Sequence, residues 1–77
     1  MRYFLGLDVA KDSFVAVLLD EAGQLIGSAT FANALDGFTE LLAWLPAPAQ
    51  TIGVCEPTGV YNQHLKQTLA SALESLH

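Results

Sequence analysis

The stretch Tyr3-Phe4-Leu5-Gly6-Leu7-Asp8-Val9-Ala10-Lys11-Asp12 decides the reading of this chain, because an apolar run long enough for a β-strand leads without a break into a carboxylate at Asp8. A second run does the same: Thr51-Ile52-Gly53-Val54-Cys55 leads into Glu56. Charged side chains are seldom tolerated at buried strand positions unless they are paired or hold a metal, since desolvating a lone carboxylate is expensive. Two strands that each close on an acid point to metal-ion chemistry.

Outward from the first run, Arg2 to Val9 reads as a strand apolar on both faces, and Ser13 to Leu19 as a second strand rich in Val, Leu and Phe. Asp20-Glu21-Ala22-Gly23 is a turn, and Gln24 to Phe31 a third strand in which Gly27 marks a bulge. Short loops make these an antiparallel meander. Asn33 is placed to cap a helix with Asp36 three residues on, and Leu35, Phe38, Leu41, Leu42 and Leu45 recur at helical spacing until Pro46 stops them. That helix, about Ala34 to Leu45, leads through Pro46-Ala47-Pro48-Ala49 to the Thr51 strand. A right-handed crossover sets this fourth strand parallel to the first. Thr58 is the candidate cap of a second helix reaching about Leu76, with Tyr61, Leu65, Leu69, Leu73 and Leu76 on one stripe. The order β-β-β-α-β-α, with strands arranged 3-2-1-4, describes an α/β domain with a mixed sheet.

Neighbouring parallel strands lie about 4.8 Å apart, so acids at the carboxyl ends of the first and fourth strands can project into one crevice and share a cation. Asp8 and Glu56 meet that requirement and are the candidate catalytic and metal-ligating residues. The expected cofactor is Mg²⁺ or Mn²⁺, which is held by one or two carboxylates together with substrate phosphate oxygens. Two-metal phosphodiester cleavage draws on three or four acids, whereas Asp12, Asp20, Glu21, Asp36, Glu40 and Glu74 fall in expected turns, strand starts or helix faces and read as solvated. Half of such a site is missing from these residues.

Gly6-Leu7-Asp8-Val9-Ala10-Lys11-Asp12, then Gly23, Asn33, Gly37, Phe38 and Leu41, then Glu56-Pro57-Thr58-Gly59-Val60-Tyr61 and Leu65 resemble the N-terminal domain of the IS one-ten class of insertion-sequence transposases. The resemblance runs from about Tyr3 to Leu69 and implies a RuvC-like domain with an RNase H-like fold, here truncated: residues 1–77 would be its N-terminal part. The family's acidic tetrad runs Asp, Glu, Asp, Asp. Asp8 and Glu56 match its first two members, and the last two would lie beyond His77, as would a second domain whose serine is implicated in strand transfer. The implied activity is Mg²⁺-dependent DNA recombination by an oligomer, aided in some members by a structured guide RNA.

Composition bounds these expectations. The chain has 77 residues, 52% hydrophobic and 14% charged, which is apolar for so short a domain and suggests faces covered by something else; a homodimer is expected. The net charge is -5 and the only cations are Arg2, Lys11 and Lys66, so no basic stripe can track a phosphate backbone and an autonomous nucleic-acid binder is disfavoured. The single Cys55 forms no internal disulfide, nothing near Met1 reads as a signal peptide, and no apolar run is long enough to cross a bilayer, so a cytoplasmic protein without membrane contact is expected.

Other notable residues have plainer readings. Lys11 reads as a solvated loop residue loosely paired with Asp12, Tyr61 and Trp44 as packing groups, His64 as facing away from the apolar stripe, and Cys55 as a small core residue. Thr58 and Gly59 fit capping and close packing better than anion binding. Two other functions stay open. One is a phosphate-binding module of the actin and sugar-kinase type, although such turns favour Gly after the Asp where this chain has Val9-Ala10-Lys11. The other is a catalytically silent fragment that self-associates through an open strand edge or helix face.

Overall fold

The computed structural model describes residues 1–55 and 61–77. Its elements are β1 (Tyr3–Val9), β2 (Ser13–Leu19), β3 (Leu25–Ala32), α1 (Leu35–Trp44), β4 (Thr51–Cys55), α2 (Gln63–Leu69) and β5 (Ser75–Leu76). They build one mixed sheet in the order β3-β2-β1-β4-β5. β1 pairs antiparallel with β2 and parallel with β4, so the expected meander and crossover are both present.

The turn between β2 and β3 forms because Asp20 and Gly23 each supply what it needs. Asp20 Oδ1 accepts the backbone N–H groups of Ala22 and Gln24, and Gly23 takes φ 83°, a conformation costly for any residue with a Cβ. The β2–β3 ladder then shifts register between Leu18, opposite Gly27, and Leu19, opposite Leu25. The expected bulge at Gly27 is therefore found.

One sheet face holds the core. Leu5 and Leu7 of β1 and Phe14, Ala16 and Leu18 of β2 are buried with Phe38 and Leu41 of α1 and Leu65 and Leu69 of α2 in a single cluster. Burying a Leu or Phe side chain is worth about 1.5–3 kcal/mol, so this cluster dominates the stability of so small a fold. α1 reaches the sheet closely because Gly37 lacks a side chain: a Cβ there would collide with the Ala32 backbone carbonyl at the end of β3.

The other face is open, which corrects the reading of the first strand as apolar on both covered faces. Phe4, Gly6 and Asp8 alternate with the buried Leu5 and Leu7 and are exposed, as are Val15, Val17 and Val54 on the neighbouring strands. The sequence of β1 fits a central strand, and β1 is central, but among the described residues only one of its faces is packed.

Both helices differ from expectation. The cap position of α1 is Ala34, without a side-chain cap bond, and Asn33 does something else. Leu35, read as part of the apolar stripe, is 60% exposed at the helix start. The second helical pattern does not run to Leu76: α2 ends at Leu69, and Ser75–Leu76 becomes a fifth strand parallel to β4. Strand pairing wins there because it satisfies the outer edge of β4. The N–H groups of Glu74 and His77 donate to the carbonyls of Thr51 and Gly53, and the Cys55 N–H donates to the His77 carbonyl. Leu73 is buried all the same, so its helical spacing carried no information about conformation. Thr58, the expected cap of the second helix, lies outside the described residues.

Candidate functional site

β1 delivers Asp8 to the carboxyl end of the sheet's middle. Leu7 and Cys55 are register partners in the parallel β1–β4 pair, and Asp8 is the next residue along β1. Opposite it on β2 is Val15. Asp8 is exposed, on the open sheet face, so the premise that a buried charge demands compensation does not apply to it. Its carboxylate makes no hydrogen bond or ion pair among the described residues, unlike Asp20, Glu21 and Glu74, which accept from Ala22, Gln24 and Arg2. Glu56, the second expected ligand, lies outside the described residues.

The turn that follows Asp8 is closed by a bond from the Ala10 N–H to the Ser13 carbonyl at 2.8 Å. It is then held from outside by Asn33. The Asn33 backbone N–H donates to the Asp12 carbonyl at 3.0 Å, and its Nδ2 donates to the carbonyls of Ala10 at 2.9 Å and Lys11 at 3.3 Å. The same Nδ2 donates to the Tyr61 carbonyl at 3.0 Å, at the head of the segment leading into α2. A sequence reading that gave Asn33 a capping role missed this, since its partners lie 22 to 28 residues away along the chain.

The other named residues that are described divide between packed and exposed positions. Tyr61 precedes α2 and is 48% exposed instead of sitting on its buried stripe. His64 is exposed, yet its ring meets the Phe38 ring edge-on at 5.4 Å, which ties α2 to α1. Trp44 packs edge-on against Phe31 at 5.7 Å, as a packing residue should. Lys11 is exposed, and among the described residues the one ion pair is Arg2 with Glu74 at 3.1 Å, so no Lys11–Asp12 pair forms. Cys55 is buried in the core cluster, and burial pushes its thiol pKa up, opposed by the nearby positive charge of Lys66.

An exposed, unshared carboxylate fits a hard divalent cation, which takes oxygen donors and keeps several of its waters. No group of three or more His, Cys, Asp or Glu residues gathers among the described residues, so Asp8 by itself would not make a complete cage. Among the described residues, no helix is long and apolar enough to cross a membrane.

Three antiparallel strands, a crossover helix and a parallel fourth strand beside the first define an α/β domain of the RNase H-like and actin-like ATPase kind. A protein of Bacteroides thetaiotaomicron with an actin-like ATPase fold and unknown function superimposes with a TM-score of 0.72 at 16% sequence identity, over 97% of this chain and 31% of its own. The chain thus spans about a third of the length of that structure. The DEDD family of the IS one-ten class, described as a transposase, matches residues 5–74, and the chain belongs to it. No curated protein matches.

Proposed function

We propose that this chain forms the first part of a divalent-metal-dependent DNA strand-cleavage and strand-transfer site of RuvC-like type, completed by further acids of a longer transposase. The observation that carries the reading is Asp8: an exposed carboxylate, unshared among the described residues, at the carboxyl end of the central strand and one step beyond the Leu7–Cys55 pair. Family membership supplies the reaction class.

In this reading Asp8 and Glu56 are the catalytic ligands of Mg²⁺ or Mn²⁺. When bound, such ions stabilise the attacking and leaving oxygens of a phosphodiester. The protein's part is to hold the Asp8 carboxylate at a fixed strand end, where the hydrogen-bonded β1–β4 pair limits its movement. DNA is the proposed substrate, and a guide RNA belongs to the proposal through those relatives that use one. A net charge of -5 requires that basic surface contacting DNA be supplied from elsewhere in the assembly.

Self-association belongs to the same proposal. The surfaces first expected to drive it are largely used within the fold, because the helix stripes face the core and β5 covers the edge of β4. The part of the open sheet face that bears Phe4, Val17 and Val54, away from the Asp8–Val15 end, takes their place as the homodimer surface.

Strand cleavage by the intact parent protein tests the reading. Asp8→Ala is expected to abolish it, and full activity in that variant would refute the catalytic assignment. The phosphate-binding alternative is separated by thermal shift: stabilisation by ATP favours it, whereas stabilisation by Mn²⁺ that is lost in Asp8→Asn favours the metal site.

A further inference from the structure

We infer that Asn33 is a positioning residue for the proposed metal site, a single carboxamide that locks the turn after Asp8 to the backbone entering α2. The inference rests on the metal-site reading of Asp8 and adds to it a residue that touches neither metal nor substrate.

The argument is one of donors and acceptors. Asn33 Nδ2 faces three backbone carbonyls, those of Ala10, Lys11 and Tyr61, at 2.9, 3.3 and 3.0 Å. A carboxamide nitrogen has two hydrogens, which the two shorter contacts take, while the longer Lys11 contact shares one of them. The surroundings also fix which end of the amide is which, because an oxygen in that place would meet carbonyl oxygens only. The Asn33 backbone N–H adds a fourth tie, to Asp12. All three residues of the Ala10–Asp12 turn are thereby bonded to one residue at the β3–α1 junction. That residue in turn holds Tyr61, the first described residue after 56–60.

Neither Ser nor Asp, the side chains nearest in size, serves equally. Ser offers one hydrogen, and Asp offers none while matching Asn in shape. The near-isosteric Asn33→Asp therefore converts attraction to three carbonyls into repulsion without leaving a cavity. Because Asn33 does not cap α1, neither Asp nor Ala there removes a helix cap.

Hydrogen–deuterium exchange and Mn²⁺ binding in the intact protein test the inference, with Asn33→Asp, Asn33→Ala and Asp8→Asn compared with the parent sequence. Asn33→Asp is expected to speed exchange in peptides covering both 9–13 and 61–66, more than Asn33→Ala does, with β2 unchanged. It is also expected to weaken Mn²⁺ binding about tenfold or more, the scale seen when a group orienting a metal ligand is lost. That loss is diagnostic, because an added negative charge near a cation site otherwise tightens binding.

Asn33→Ala loosening these segments more than Asn33→Asp would show that the site needs volume and not donors, and would overturn the inference. So would faster exchange in only one of the two segments, or unchanged Mn²⁺ affinity in Asn33→Asp. Mn²⁺ binding indifferent to Asp8→Asn would instead refute the metal site, and the positioning role with it, while the exchange pattern would still decide whether the tie exists.

Discussion

Leu7 of β1 lies opposite Cys55 of β4 in the parallel pair that forms the middle of the sheet, with Leu7 and Cys55 both buried on the packed face. Alternation then sends Asp8 to the open face at the carboxyl end of β1. A carboxylate there is held by the ladder on its own strand and remains free to meet a ligand from the solvent side.

Asp8 separates function from folding. Because it is exposed and unshared among the described residues, Asp8→Asn is expected to change unfolding free energy by no more than about 0.5 kcal/mol, as at other exposed positions. Strand cleavage by the intact parent should fall below detection. Urea unfolding and a plasmid-nicking assay on the same preparation read the two effects.

Phe38 is the keystone of the packed face. It is fully buried and its ring lies 6.0 Å from that of Phe14 and 5.4 Å from that of His64, joining α1 to β2 and α2. Phe38→Ala is expected to cost about 3–5 kcal/mol. For a domain whose whole stability is of order 5 kcal/mol that leaves it largely unfolded, a loss that circular dichroism at 25 °C detects.

Gly37 has no room for a methyl group, since its Cβ would strike the Ala32 carbonyl. Although Ala is the better helix former, Gly37→Ala is expected to destabilise by about 1–3 kcal/mol as α1 is pushed off the sheet. An increase in thermal stability would show that the α1–β3 approach is looser than described.

Cys55 makes stability depend on pH at the alkaline end. Burial raises its thiol pKa above the ordinary 9.0, with Lys66 acting in the opposite sense. A thiol whose folded pKa exceeds its unfolded one contributes stability that is fully present below the unfolded value and is lost as pH rises through the folded value. The margin of the native chain over Cys55→Ala, measured by urea unfolding, should be constant near neutrality and shrink above pH 9. Iodoacetamide should label Cys55 slowly in the folded protein and quickly in denaturant.

The open sheet face predicts self-association. Val17→Lys, at an exposed position beside Gly6, is expected to shift the protein from dimer to monomer in sedimentation velocity without loss of secondary structure. A compact monomer of the native chain at micromolar concentration would count against the dimer.

Local pattern carried the first half of the fold. A run rich in Val, Leu and Phe and a short run of turn residues placed the ends of β2 at Ser13 and Leu19, and Pro46 correctly marked the end of α1. In these segments local preference and tertiary packing agree. The pattern failed after α2, where Leu73 and Leu76 continue a helical spacing although they serve a turn and a strand. Nothing local reports that β4 still has an unpaired edge nearby. Asn33 failed for the same reason: a polar residue before an apolar helix reads as a cap, and its true acceptors belong to distant turns.

What the sequence by itself determined is the apolar run that makes β1 a strand, the acid at its end, and the family to which residues 5–74 belong. Each of these depends only on the order of residues along the chain. Only the tertiary structure decided that Asp8 faces solvent, that a fifth strand closes the edge of β4, and that Asn33 gathers three carbonyls from two turns. Those outcomes follow from hydrogen-bonding groups and apolar faces that find their partners only after the chain has folded back on itself.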